Sequence, residues 1–128
     1  MAVKTYVTID VQEEYMAAHL FGELDHHSVQ SIREEIDRMA EQNEPTELIL
    51  DFGGVTFMDS SGIGLVMGRY KLMQELGGTV RLTQLSASIR RVMQVAGMDK
   101  AHVALYDFLA GQLRQLIHGL WSESHAPW

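Results

Sequence analysis

The chain has 128 residues, 46% hydrophobic and 21% charged, proportions that suit one folded domain and argue against global disorder. Its 17 acidic and 10 basic side chains leave a formal charge of -7, which argues against nucleic acid or an anionic membrane as the main partner. It has no cysteine, so disulfides, thiolate metal sites and cysteine nucleophiles are excluded.

Val3, Thr5, Val7 and Ile9 alternate with Lys4, Tyr6, Thr8 and Asp10, which predicts a first strand over residues 3–9. Tyr15 to Phe21 reads as a second strand, and the short Val11–Glu14 connection makes the two an antiparallel hairpin. In the next loop Asp25 and Ser28 are both good helix N-caps, and the pattern alone does not choose between them. Val29, Ile32, Ile36, Met39 and Ala40 then form one helical stripe, while Arg33, Glu34, Asp37, Arg38 and Glu41 are expected in solvent. Pro45 stops this helix.

Thr46 to Phe52, with a continuous apolar centre, is expected to be a strand buried on both faces, followed by a loop over Gly53–Met58. A second helix then places Ile63, Val66, Met67, Tyr70, Met73 and Leu76 three and four apart, ending at Gly77-Gly78. A short strand follows at Thr79–Thr83, then a helix capped by Ser86 that carries Ile89, Val92, Met93 and Ala96 and ends at Gly97. His102–Tyr106 is expected to be a fifth strand, 108–121 a last helix and 122–128 a frayed tail. After the hairpin, strict alternation implies right-handed parallel crossovers and a single α/β domain over 1–128. Nothing resembles a signal peptide or a membrane span, so a cytoplasmic location is expected.

The stretch with chemical potential is Phe57-Met58-Asp59-Ser60-Ser61-Gly62-Ile63-Gly64, where a strand leads into a helix. Hydroxyls there lie beside unpaired N–H groups at the positive end of the helix dipole, a setting that favours negative charge. A dinucleotide fingerprint is a poor fit, because the pattern needs glycine where Met67 stands, and the loop lacks the Lys-Ser/Thr of a phosphate-cradling loop. A hydrolase elbow needs glycine two residues either side of its serine, which neither Ser60 nor Ser61 has. Two readings stand together: simple capping by Asp59, Ser60 or Ser61, and a phosphorylatable serine at a helix start. Asp25-His26-His27 resembles the signature of metal-dependent phosphoesterases, but adjacent histidines on a helix would point about 100° apart. A capping loop with surface histidines is the plainer reading of that stretch.

Phe57 to Gly64, continued by Gly68-Arg69-Tyr70-Lys71, resembles the anti-sigma-factor antagonists of spore-forming bacteria. Gly22-Glu23-Leu24-Asp25-His26-His27-Ser28 is similar to a loop of the sporulation branch of the same family. The resemblance covers roughly residues 3–107 and implies the STAS fold: an opening β-hairpin, then a right-handed β-α superhelix with a mixed, mostly parallel sheet and helices on one face. It implies Ser60 as phosphoacceptor, and Asp25, Asp59, Ser61, Gly62, Ile63, Gly64 and Arg69 as residues that meet a partner. It further implies partner switching by a monomer that is not an enzyme and carries no cofactor or metal. Unphosphorylated protein would bind a nucleotide-bound anti-sigma serine kinase and free the sigma factor, phosphorylation would end binding, and a serine phosphatase would reset it. Two alternatives are a STAS module in a general stress switch, and a small phosphoesterase using Asp25, His26 and His27.

Overall fold

Strands β1 (Tyr6–Val11) and β2 (Tyr15–Leu24) form the expected antiparallel hairpin, with Tyr6 opposite Phe21 and Val11 opposite Met16. Helix α1 (Val29–Asn43) carries the chain to β3 (Glu47–Met58), which lies parallel to β2. Helix α2 (Ser60–Glu75) then leads to β4 (Thr79–Thr83), parallel to β3, and α3 (Ala87–Val95) follows. The sheet order is therefore β1-β2-β3-β4, the order of the chain itself. The computed structural model describes residues 4–96; Val3, the expected fifth strand, the last helix and the tail lie outside the described residues.

Alternation in the strands sends Met16, Ala18, Leu20, Leu48, Leu50, Phe52, Val80 and Leu82 to one side of the sheet. There they share a single core with Ile32 and Ile36 of α1, Leu65, Val66 and Met73 of α2, and Ile89 and Met93 of α3. The helices thus cover one face, as the fold class requires. Helix α1 ends because Glu44, which precedes Pro45, turns left-handed (φ 43°) and donates its N–H to the Ala40 carbonyl at 2.7 Å. Among the described residues no helix is long and apolar enough to cross a membrane.

Strand β3 departs most from expectation. It continues through Gly53–Met58, where a loop was expected, and β2 likewise runs on to Leu24. The pairing slips by a residue between His19 and Phe21 and again between Gly22 and Glu23, so Phe21 faces Gly54 and Glu23 faces Phe57. Two bulges explain why the segment does not look like a strand: past Phe52 its buried positions are Val55 and Met58, three apart rather than two. Gly54 permits the close approach, since a Cβ there would strike the Phe21 ring and stand 2.8 Å from the Leu20 carbonyl oxygen. This extension brings the ends of β2 and β3 side by side.

Candidate functional site

The ends of β2 and β3 are joined by the Asp59 N–H, which donates to the Leu24 carbonyl at 3.1 Å. Each strand passes directly into a helix start, so the Asp25–Ser28 turn and the Asp59–Ser61 turn lie next to each other. In an open α/β sheet the carboxyl ends of parallel strands are where loops gather around a site.

At the second turn the cap is Asp59, not a serine. Its Oδ1 accepts the Ser61 N–H at 2.7 Å, and its carbonyl accepts the Gly62 N–H at 3.0 Å. Ser60 is thereby left as the first helical residue with its side chain in solvent, while Ser61 is half-buried. Because Asp59 already serves the Ser61 N–H, a negative group on Ser60 would not take that amide. It would stand outward, beside a carboxylate.

At the first turn Asp25 and Ser28 both act. The Asp25 Oδ1 accepts the N–H groups of His27 and Ser28, each at 3.0 Å, and the Ser28 Oγ accepts the Asp25 N–H at 3.1 Å. These reciprocal bonds close the turn leading into α1 in the manner of a capping box, while the Ser28 side chain makes no cap bond to the helix itself. Those bonds, the Ser28 N–H foremost, hold the Asp25 carboxyl below its ordinary range. His26 and His27 are exposed and sit in the turn rather than on the helix, with ring centroids 3.9 Å apart. Among the described residues no three histidine, aspartate or glutamate side chains converge to hold a metal ion. With one Asp25 oxygen turned onto its own backbone, the loop has the geometry of a cap.

Helix α2 is rotated from its expected orientation. Its buried positions are Gly62, Leu65, Val66, Arg69, Tyr70 and Met73; Met67 is 39% exposed, and Ile63 and Leu76 are only half-buried. Ser60, Gly64, Met67, Gly68 and Lys71 therefore share the outward face, at the three-and-four spacing of one helical stripe, with Ile63 at its margin, half-buried against the core. Phe57, 51% exposed, stands just before that helix. From the sequence Met67 was expected on the apolar stripe of the helix, and Phe57 was noted only as the start of the motif. The signal was a helical wheel drawn from Ser60 instead of from the apolar residues.

Arg69, expected to meet a partner, is instead 5% exposed. Its Nη2 donates to Asp37 Oδ2 at 3.2 Å, and its Nε approaches Asp37 Oδ1 at 2.8 Å without hydrogen-bond alignment. Asp37, expected in solvent, is half-buried by the same contact. Burial pushes the Arg69 guanidinium down from its usual range, although Asp37 opposes this, and burial pushes the Asp37 carboxyl up against the pull of Arg69.

Residues 6–109 match the STAS domain. The chain is 41% identical over 88 residues to an anti-sigma F factor antagonist of Lysinibacillus sphaericus, covering 69% of this chain and 75% of that one. It superimposes on the unphosphorylated anti-sigma factor antagonist SpoIIAA with a TM-score of 0.65, at 38% identity, over 73% of this chain and 82% of that one. Against the phosphorylated form of the Bacillus cell fate determinant SpoIIAA the TM-score is 0.59, again at 38% identity, over 73% and 85%. The chain belongs to the STAS domain family, among its anti-sigma factor antagonists.

Proposed function

We propose that this protein is a cytoplasmic anti-sigma factor antagonist governed by phosphorylation of Ser60. What carries the reading is the placement of Ser60: in solvent at the start of α2, beside the Asp25 turn, and at the head of an outward stripe of Gly64, Met67 and Gly68 with Ile63 at its margin. The likeness to a solved relative described in both phosphorylated and unphosphorylated forms supports it.

Unphosphorylated, the surface formed by Asp25, Ser60 and the outward stripe docks a nucleotide-bound anti-sigma serine kinase and displaces its sigma factor. Asp59 and Ser61 shape the turn that offers Ser60, and Gly62 lets that turn lie on Met58. The kinase transfers the γ-phosphate to the Ser60 hydroxyl, adding about -1.5 to -2 charge beside Asp59 and Asp25. Like charges and desolvation at an interface cost several kcal/mol, and each ~1.4 kcal/mol is about tenfold in affinity, so one phosphate suffices to end docking. A serine phosphatase restores the binding form. In this scheme the protein is bound and modified; it catalyses nothing. Its setting is transcriptional control of sporulation.

Incubation with ATP, magnesium and the anti-sigma F factor of Lysinibacillus sphaericus is expected to add one phosphate that maps to Ser60 and is lost in Ser60→Ala. Phosphate on Ser61 or elsewhere, or none, overturns the reading. Ser60→Asp is expected to weaken binding to the same factor, and unchanged affinity by calorimetry would remove the charge explanation.

A further inference from the structure

The Arg69–Asp37 pair stands apart from the docking surface, and the switch described above makes no use of it. It is also a poor way to stabilise the fold. Arg69 is 5% exposed, its Nη1 has no hydrogen-bond partner among the described residues, and Arg33 adds like charge nearby. A buried ion pair with an unsatisfied nitrogen is often no better for stability than an apolar pair of similar volume. What it offers that apolar contacts lack is direction, because the planar guanidinium donates through Nη2 to Asp37 Oδ2, with Nε held close to Oδ1, and few relative placements of the two side chains allow this.

The location gives that direction a use. Arg69 lies nine residues into α2 after Ser60, about 13 Å along the axis at a helical rise of ~1.5 Å per residue. Asp37 lies eight residues into α1 after Val29, about 12 Å along. The pair therefore joins α1 and α2 at nearly equal depth below their two starts, and those starts carry the Asp25 and Ser60 turns. Sliding or rotating one helix against the other would break the pair and shift one turn relative to the other.

We infer that Arg69 and Asp37 are positioning residues that hold the Asp25 turn and the Ser60 turn in the relative placement a partner reads across both. This rests on the docking surface proposed above. The pair touches neither the partner nor the phosphate; it acts through the two helices.

The test is the double variant D37L/R69M in the full chain, compared with the native protein in three measurements. Its melting temperature is expected to equal or exceed that of the native chain. Its affinity for the anti-sigma F factor of Lysinibacillus sphaericus is expected to fall about tenfold, within the range that coupling residues outside a contact surface produce. In phosphorylation by that factor, KM rises while kcat changes little. Amide NMR shifts at Asp25–Ser28 and Asp59–Gly62 move together, a readout that needs no partner. Native-like affinity with unmoved shifts overturns the inference, as does a loss of affinity that only tracks a loss of folding. A native chain that neither binds nor is phosphorylated would count against the proposed function instead, and the amide shifts would still decide the clamp. Should the double variant not fold, R69K keeps the charge and loses the fork. It is expected to fold, to shift the same amides and to dock more weakly, and unmoved shifts there overturn the inference equally.

Discussion

On its inner face α2 sets Gly62 over Met58, where a Cβ would run into the Met58 Cγ and Sδ; on its outer face, no atom of the described residues beyond the adjoining helix itself lies within 4 Å of where a Cβ of Gly64 or Gly68 would stand. Glycine inside a helix costs roughly 0.5–1 kcal/mol relative to alanine, whichever way it faces. At Gly62 that cost is offset by close packing of the helix start on the end of β3. At Gly64 and Gly68 nothing in the described chain offsets it. The inner glycine is held by a contact of the fold, whereas the outer two have none among the described residues.

This division can be broken by leucine. Gly62→Leu forces Met58 out of its place and is expected to lower the unfolding free energy by about 2 kcal/mol in a urea melt. Gly64→Leu or Gly68→Leu enters open space, and the gain in helix propensity is expected to leave stability equal or up to ~1 kcal/mol higher. Each should nevertheless abolish docking to the anti-sigma F factor by standing off the partner. An outer variant that unfolds the chain, or an inner one that does not, would erase the distinction between the faces.

A smaller effect separates cap from acceptor at the head of the same helix. Asp59→Ala leaves the Ser61 N–H without its 2.7 Å partner and is expected to cost about 1 kcal/mol. Ser60→Ala, whose side chain is in solvent, should change stability by no more than about 0.5 kcal/mol. Thermal melts of the two, run side by side, would contradict the assignment if the serine proved the costlier loss.

The same contrast shows what could be read from residues alone. The stripe of α1 was legible because Ile32, Ile36 and Ala40 are apolar and correctly spaced, and Ser86 was legible as a cap, which it is, accepting the Ile89 N–H at 3.2 Å. The orientation of α2 was not, since the apolar Met67 faces outward and Ile63 is only half-buried while a charged residue, Arg69, faces in. Hydrophobicity is a poor guide to burial where a charge finds a partner inside, as Arg69 does in Asp37. The length of β3 was hidden by bulges at Gly53-Gly54 and near Val55–Phe57, which break the alternation. The two turns of the site were each visible in sequence, but their adjacency depends on the register of β2 against β3, which no local pattern encodes.

Met67→Ala carries the comparison of faces to a finer scale. Its side chain is 39% exposed, so truncation should move stability by about 0.5 kcal/mol or less while weakening docking. Unchanged affinity would confine the docking surface to the helix start around Ser60.

The smallest effect is set by two carboxylates held oppositely. Asp25 has its folded value lowered, so its contribution is present above the ordinary aspartate range and is lost as pH falls through the folded value. Asp37 has its value raised, so its contribution is present below that range and is lost as pH rises through the folded value. Asparagine at position 25 can still accept the His27 and Ser28 N–H groups, since it caps as well as aspartate does. Asp25→Asn is therefore expected to leave neutral-pH stability nearly unchanged and to flatten the acid limb of the stability curve, from the ordinary aspartate range downward. Asp37→Asn removes the opposing slope and should steepen that limb. Urea midpoints followed against pH for both variants would show the signs directly. Two curves shifted the same way would mean that the carboxyl capping α1 and the carboxyl joining α1 to α2 are not held in opposite senses.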